Sequence, residues 1–119
     1  MVLVDTSVWV EHLRKGVPNL EALLADGEVV CHPFVIGELA CGNLRNRQEI
    51  LTLLQELPTM PEVAHEELLN FVERHRLMGR GLGLVDVHLL ASTQLAGIML
   101  WTLDRSLRQA ATGLNASNR

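Results

Sequence analysis

The chain has 119 residues, a formal net charge of −4, and 48% hydrophobic against 20% charged residues. That composition excludes intrinsic disorder, which needs far fewer apolar residues, and no apolar run reaches the length of a membrane span. The acidic balance is not that of a strongly basic nucleic-acid binder, but a bound cation supplies positive charge locally, so nucleic acid stays in play.

The size suits one domain over residues 1–119. No basic leader precedes the first apolar stretch, which meets acids at Asp5 and Glu11. A signal peptide is therefore not expected, and the cytoplasm is the default compartment. Cys31 and Cys41 are accordingly expected to be reduced, and both to be buried.

In chain order, Val2 to Val4 reads as a short buried strand. Asp5, Thr6 and Ser7 are capping residues, and a helix follows from about Ser7 to Lys15, stopped by Gly16. Pro18 opens a second helix through Leu24, and Asp26-Gly27 is a turn. Glu28 to Cys31 is a second strand, and Pro33 opens a helix ending near Cys41-Gly42, with His32 as its cap. Residues 46–57 carry Ile50, Leu53, Leu54 and Leu57 on one helical face. Pro58 and Pro61 break that helix, and Met60 to Ala64 has room for a short strand. Further helices are expected over 65–78 and 85–96, separated by the glycine-rich break Arg80-Gly81-Leu82-Gly83. Ile98 to Thr102 reads as a strand, and Asp104 starts a last helix to about Thr112. Gly113 to Arg119 reads as a loose tail, with no visible final edge strand.

Strands alternating with helices imply a three-layer α/β/α domain around a mostly parallel sheet. Ligands of such sheets bind beyond the carboxyl ends of the strands. Only four aspartates occur among 14 acidic residues, and two of them lie at carboxyl ends of strands, Asp5 ending the first and Asp104 two residues after Thr102, just beyond the last. Asp86 falls in the first turn of a helix, behind the glycine-rich break, and Glu38 lies in the apolar helix Pro33-Phe34-Val35-Ile36-Gly37-Glu38-Leu39-Ala40. Each aspartate alone reads equally as a helix cap, worth about 1 kcal/mol. Glu38 resists that reading, since a carboxylate among apolar residues is costly unless paired or bound to a cation, and no basic residue precedes Arg45 in this stretch. Two carboxylates about 5 Å apart repel by roughly 3 kcal/mol at an effective dielectric of about 20, so four together call for a cation. All-oxygen ligation suits Mg²⁺ or Mn²⁺, and phosphodiester hydrolysis is the reaction such an assembly serves best.

The segments Val4-Asp5-Thr6-Ser7-Val8-Trp9, Gly37-Glu38-Leu39-Ala40, Gly83-Leu84-Val85-Asp86 and Leu100-Trp101-Thr102-Leu103-Asp104, in this order, resemble the PIN-domain ribonucleases, and most closely the VapC-type toxins of toxin–antitoxin pairs. The resemblance covers essentially the whole chain. It implies a PIN-like parallel sheet between helices, Mg²⁺-dependent RNA cleavage with Mn²⁺ able to substitute, a cognate antitoxin protein and a homodimer. Carried over, Asp5, Glu38, Asp86 and Asp104 resemble the catalytic acidic quartet. Asp5 and Asp86 take the place of the principal metal ligands, with Asp104 direct or through water, and Thr6, Ser7 and Thr102 take supporting positions.

Two other classes compete. One is a non-catalytic PIN-like module that binds RNA or a protein partner, and the other is a metal phosphatase acting on small phosphoesters. RNA cleavage with and without chelator, and a chromogenic phosphoester, separate them. His12, His32, His65, His75 and His88 show no metal-ligand spacing, and Cys31 and Cys41 lack a fitting base. Arg80, Arg105 and Arg108 are candidates for RNA phosphates. The first helix is apolar on several sides, Val8 and Val10 pointing about 200° apart. Such a helix is either buried against the chain's own second helix or covered by a partner.

Overall fold

In a computed structural model, which describes residues 1–114, the chain forms β1 (Val2–Val4), α1 (Thr6–Lys15), α2 (Pro18–Ala25), β2 (Val29–Val30), α3 (Pro33–Ala40), α4 (Arg47–Glu56), α5 (His65–His75), α6 (Leu84–Ala96), β3 (Met99–Trp101) and α7 (Arg105–Gly113). The strands lie in the order β2-β1-β3. Both pairings are parallel, Leu3 standing opposite Val30 on one side and Leu100 on the other. Successive strand residues face opposite ways. Val2, Leu3 and Val4 are nonetheless all buried, so helices cover both faces of the sheet. This is the expected three-layer α/β/α arrangement. Helix α3 packs on α1 and α4, α6 packs on α5 and α7, and α6 also lies against β3.

β1 is central. The chain leaves it toward β2 and later returns on its other side as β3. A reversal of this kind opens a crevice at the carboxyl ends of the strands. Asp5, the residue after β1, stands at that crevice.

Local signals account for most boundaries. Gly16 ends α1 at φ 81°, a backbone region that favours glycine, and its N–H donates to the His12 carbonyl at 2.8 Å. Pro33 opens α3, and His32 caps it, its Nδ1 accepting from Phe34 N at 3.0 Å. The expected strand over Met60–Ala64 does not form. Cys31 instead bridges Thr59, with Cys31 N donating to the Pro58 carbonyl and Met60 N to the Cys31 carbonyl, each at 2.8 Å. Pro61 has no N–H with which to continue the pairing.

Both cysteines are free, but only Cys31 is buried, and burial pushes its thiol up to about 11. Cys41, expected to be buried, is exposed because it follows the last turn of α3. Helix α1 is not enclosed all round either: Val8 and Trp9 are buried, whereas Val10 is 50% and Leu13 36% exposed. The loose tail expected from Gly113 lies mainly in residues 115–119, outside the described residues, and Gly113 itself still belongs to α7.

The interior holds two buried imidazoles, His32 and His88, with ring centroids 6.5 Å apart. His32 Nε2 and His88 Nδ1 find no hydrogen-bond partner among the described residues. Burial, with a smaller contribution from His88, pushes His32 down to about 4. The folded state then binds fewer protons than the unfolded chain between about pH 6.5 and 4. Stability is expected to fall as the pH drops through that window. In denaturant titrations across it, His32→Asn, which can cap α3 through its own carbonyl oxygen, should flatten the fall.

Candidate active site

All three strands deliver residues to the crevice. Asp5 follows β1, Asp104 lies three residues past the end of β3, and Glu38 sits on α3, the helix after β2. Asp86 reaches it from the first turn of α6.

Asp5 is 6% exposed, and its Oδ2 accepts hydrogen bonds from Ser7 Oγ at 2.8 Å and Thr102 Oγ1 at 2.7 Å. Each hydroxyl has one hydrogen, and both are directed at Oδ2, which brings the two hydroxyl oxygens within 3.3 Å of each other. The hydroxyls in turn accept from the backbone of the following loop, Ser7 Oγ from Leu103 N and Thr102 Oγ1 from Asp104 N, each at 3.0 Å. Asp5 N donates to the Trp101 carbonyl at 2.9 Å, extending the β1–β3 pairing to the site itself. Although Asp5 occupies the cap position of α1, its side chain makes no capping bond.

The other two aspartates do cap. Asp86 Oδ2 accepts from Gly83 N and Asp104 Oδ1 from Leu107 N, each at 2.9 Å. Thr6 Oγ1 donates to Glu38 Oε1 at 2.6 Å. Glu38 is exposed, so the expectation of a carboxylate stranded among apolar neighbours is corrected. Its helix turns the apolar Val35 and Leu39 inward and presents Glu38 to solvent beside Thr6.

The charges of the other three acids are felt at Asp86. Burial pushes the Asp86 carboxyl above its usual range, the Gly83 N–H bond opposes this, and the charges of Asp5, Asp104 and Glu38 push it further up. They are close enough to repel, but among the described residues no three such side chains are arranged to grip one metal ion. The donor chemistry does fit a hard divalent cation. Asp5, Asp86 and Asp104 each have one oxygen tied back and a second without a hydrogen bond among the described residues. Mg²⁺ is commonly held by one or two carboxylates, with waters and substrate phosphate filling the remaining positions.

Of the arginines singled out for phosphate, Arg108 is committed to structure, its Nη2 donating to the Thr102 carbonyl at 3.0 Å. Arg80 and Arg105 are exposed. Sequence reading missed two details of the wiring. One is the Gly83 N–H that holds Asp86, for which the glycine-rich break was the only signal. The other is Arg108's support of β3, for which there was none.

The chain belongs to the PIN-domain family, whose profile matches residues 2–113. It is 52% identical over 111 residues to Ribonuclease VapC32 from two strains of Mycobacterium tuberculosis, covering 92% of this chain and 90% of that one. This likeness agrees with the VapC-type resemblance read from the motifs. Among solved structures, the crystal structure of PAE2754 from Pyrobaculum aerophilum matches with a TM-score of 0.64 at 16% identity, over 92% of this chain and 83% of that one, a likeness of fold.

The hydroxyl clamp on Asp5 sets one expectation. Thr102→Val keeps the shape but removes a hydrogen bond to a buried charge, and should lower stability by about 2 kcal/mol in denaturant titrations. Thr102→Ser, which restores the hydroxyl, should recover most of it.

Proposed function

We propose that this chain is one nuclease domain over residues 1–119 that hydrolyses RNA phosphodiester bonds with a divalent cation, Mg²⁺ or Mn²⁺, as the toxin of a toxin–antitoxin pair in the cytoplasm. The observation that carries the reading is the gathering of Asp5, Glu38, Asp86 and Asp104 at the carboxyl edge of the sheet, with mutual repulsion felt at Asp86. The 52% identity to a protein named as a ribonuclease supports it.

In this reading Asp5, Asp86 and Asp104 would hold the cation. When bound, the cation offsets the carboxylate charge and stabilises negative charge on the phosphate oxygens. Ser7 and Thr102 keep the Asp5 carboxylate in one orientation. Glu38, oriented by Thr6, accepts the proton of the attacking water. An oxygen–phosphorus bond forms, one phosphorus–oxygen ester bond breaks, and the departing oxygen takes a proton from solvent.

An antitoxin and a second copy of the chain are proposed as protein partners. A nearly apolar groove of about 400 Å³, lined by Trp9, Leu13, Leu24, Ile50, Leu53 and Leu57, supports a protein partner there. None of the described helices is long and apolar enough to cross a membrane. A second reading, a non-catalytic module, draws on one observation, that no three acids are preassembled to grip an ion.

Cleavage of single-stranded RNA by the purified chain tests the proposal. Mg²⁺ should support cleavage and excess chelator should stop it. Asp5→Asn, which keeps shape and removes charge, should abolish it with the melting temperature retained. A mutant cutting at the wild-type rate would remove Asp5 from the site.

Binding should also register as stability. Because the Asp86 carboxyl is raised in the folded state, its contribution to stability is present at low pH and is lost as the pH rises through the folded value. A cation offsets that loss, so its stabilising effect should grow with pH across this range. At a hundredfold excess over Kd, Mn²⁺ should add about 2.7 kcal/mol, a rise in Tm on the order of 10 °C. Na⁺ at matched ionic strength should not reproduce it.

A further inference from the structure

A second cleft, of about 650 Å³, begins at Thr6 and Glu38 and runs between α1 and the segment joining α3 to α4. It differs in chemistry from the apolar groove beside it, because its lining includes Arg14, Asn43, Arg45 and Asn46. The joining segment is held in shape from below. Leu44 packs against the core. The Arg47 guanidinium donates to the Gly42 carbonyl at 3.2 Å and to the Ala40 carbonyl at 2.5 Å. Asn46 takes the left-handed backbone conformation at φ 52°, and its carbonyl accepts from Ile50 N at 3.0 Å.

The side chains this segment displays are left without work in the fold. Asn43, Arg45 and Asn46 are exposed. None of the three side chains makes a hydrogen bond or ion pair among the described residues, and Asn46, at the cap position of α4, does not cap it. Arg14 differs, since its guanidinium is paired with Glu11 at 2.8 Å. Arg45 is thus the cation of the cleft that is free to meet an anion.

We propose that this cleft is the path of single-stranded RNA into the acidic site, with Arg45 gripping a backbone phosphate and the side-chain amides of Asn43 and Asn46 reading base edges. The proposal rests on the RNA-hydrolysis reading and names the residues that select its substrate. The cleft includes Thr6 and Glu38, so it reaches the group proposed to take the proton of the attacking water. The ligand class follows from the residue types, since a guanidinium matches phosphate and amides match the donor and acceptor edges of unpaired bases. A chain with net charge −4 has few places where a polyanion is welcome, and an arginine without an ion-pair partner among the described residues, in a cleft that reaches Glu38, is one. Base stacking on aromatics is not on offer here. The chain has only two Trp, two Phe and no Tyr, and none of them lines the cleft. Recognition therefore falls to the arginine plane and the amides.

Arg45→Ala and Asn46→Gly test this. The first deletes a charge with no partner in the fold. The second keeps, and favours, the positive φ while removing the amide. Both should leave Tm unchanged or slightly raised. Binding is read by fluorescence anisotropy on a non-cleavable single-stranded RNA, and steady-state cleavage is read on the matching cleavable RNA with Mg²⁺. For Arg45→Ala, Kd and KM should rise about tenfold with kcat unchanged, and the slope of log K against log salt should flatten by about 0.7, as for one lost contact on a single strand. Arg45→Lys should recover part of the affinity. Asn46→Gly should change which sequences are cut, with kcat on the best one retained.

Binding and salt slope unchanged in Arg45→Ala would overturn the proposal and leave the cleft to a protein segment. A kcat that falls while KM holds would overturn it too. Absence of cleavage by the wild-type chain, with RNA binding still weakened by Arg45→Ala, would sink the hydrolysis reading and leave the RNA path standing.

Discussion

The site depends on one carboxylate and the two hydroxyls that hold it. Asp5 Oδ2 is the meeting point of Ser7, on the helix after β1, and Thr102, just past β3. Those hydrogen bonds cross the junction of two strands that are remote in sequence, and they pass on through Ser7 and Thr102 to the backbone of Leu103 and Asp104. A buried charge is tolerated only when its hydrogen-bonding needs are met. Here that requirement ties the orientation of one acid to the alignment of β1 with β3. The other oxygen has no hydrogen bond among the described residues.

The remaining acids are placed by a different logic. Asp86 and Asp104 each hold a helix start, which suits their charge to the positive end of the helix dipole. Capping occupies one oxygen of each and leaves the other without a hydrogen bond among the described residues. A cap and a ligand are compatible roles for the same carboxylate, so the capping reading and the functional reading of these residues do not exclude each other. Glu38 is held differently, by a single hydroxyl on an exposed helix face. That suits a group that handles a proton better than one that anchors an ion.

Two clefts of different chemistry flank α1. One is lined mainly by leucines, isoleucine and tryptophan, and the other carries arginines and asparagines and reaches Glu38. The helix that looked apolar on too many sides is apolar because Trp9 and Leu13 border the first cleft while Val10 and Leu13 border the second. An exposed Val10 at 50% is thus a wall of a cleft and not a defect of packing.

The sequence by itself determined the layer architecture, the parallel sheet, most element boundaries and the positions of the four acids, because alternating strand and helix patterns admit few topologies and ligands of such sheets collect at one edge. It could also identify His32 as a cap and the glycine break before Asp86. It misplaced the short pairing at Thr59, since whether an extended segment pairs depends on a neighbour far along the chain, here Cys31. It misjudged Cys41 and Glu38, because the face a short helix residue presents depends on what packs against that helix. The tertiary structure alone decided that Thr102 and Ser7 converge on one oxygen of Asp5, that Arg108 supports a strand end, and that Arg45 lines the cleft that reaches Glu38 without an ion-pair partner among the described residues. These are relations between residues up to 97 positions apart. No local pattern encodes them, because hydrogen bonds and ion pairs are settled by which side chains the folded backbone brings within about 3 Å.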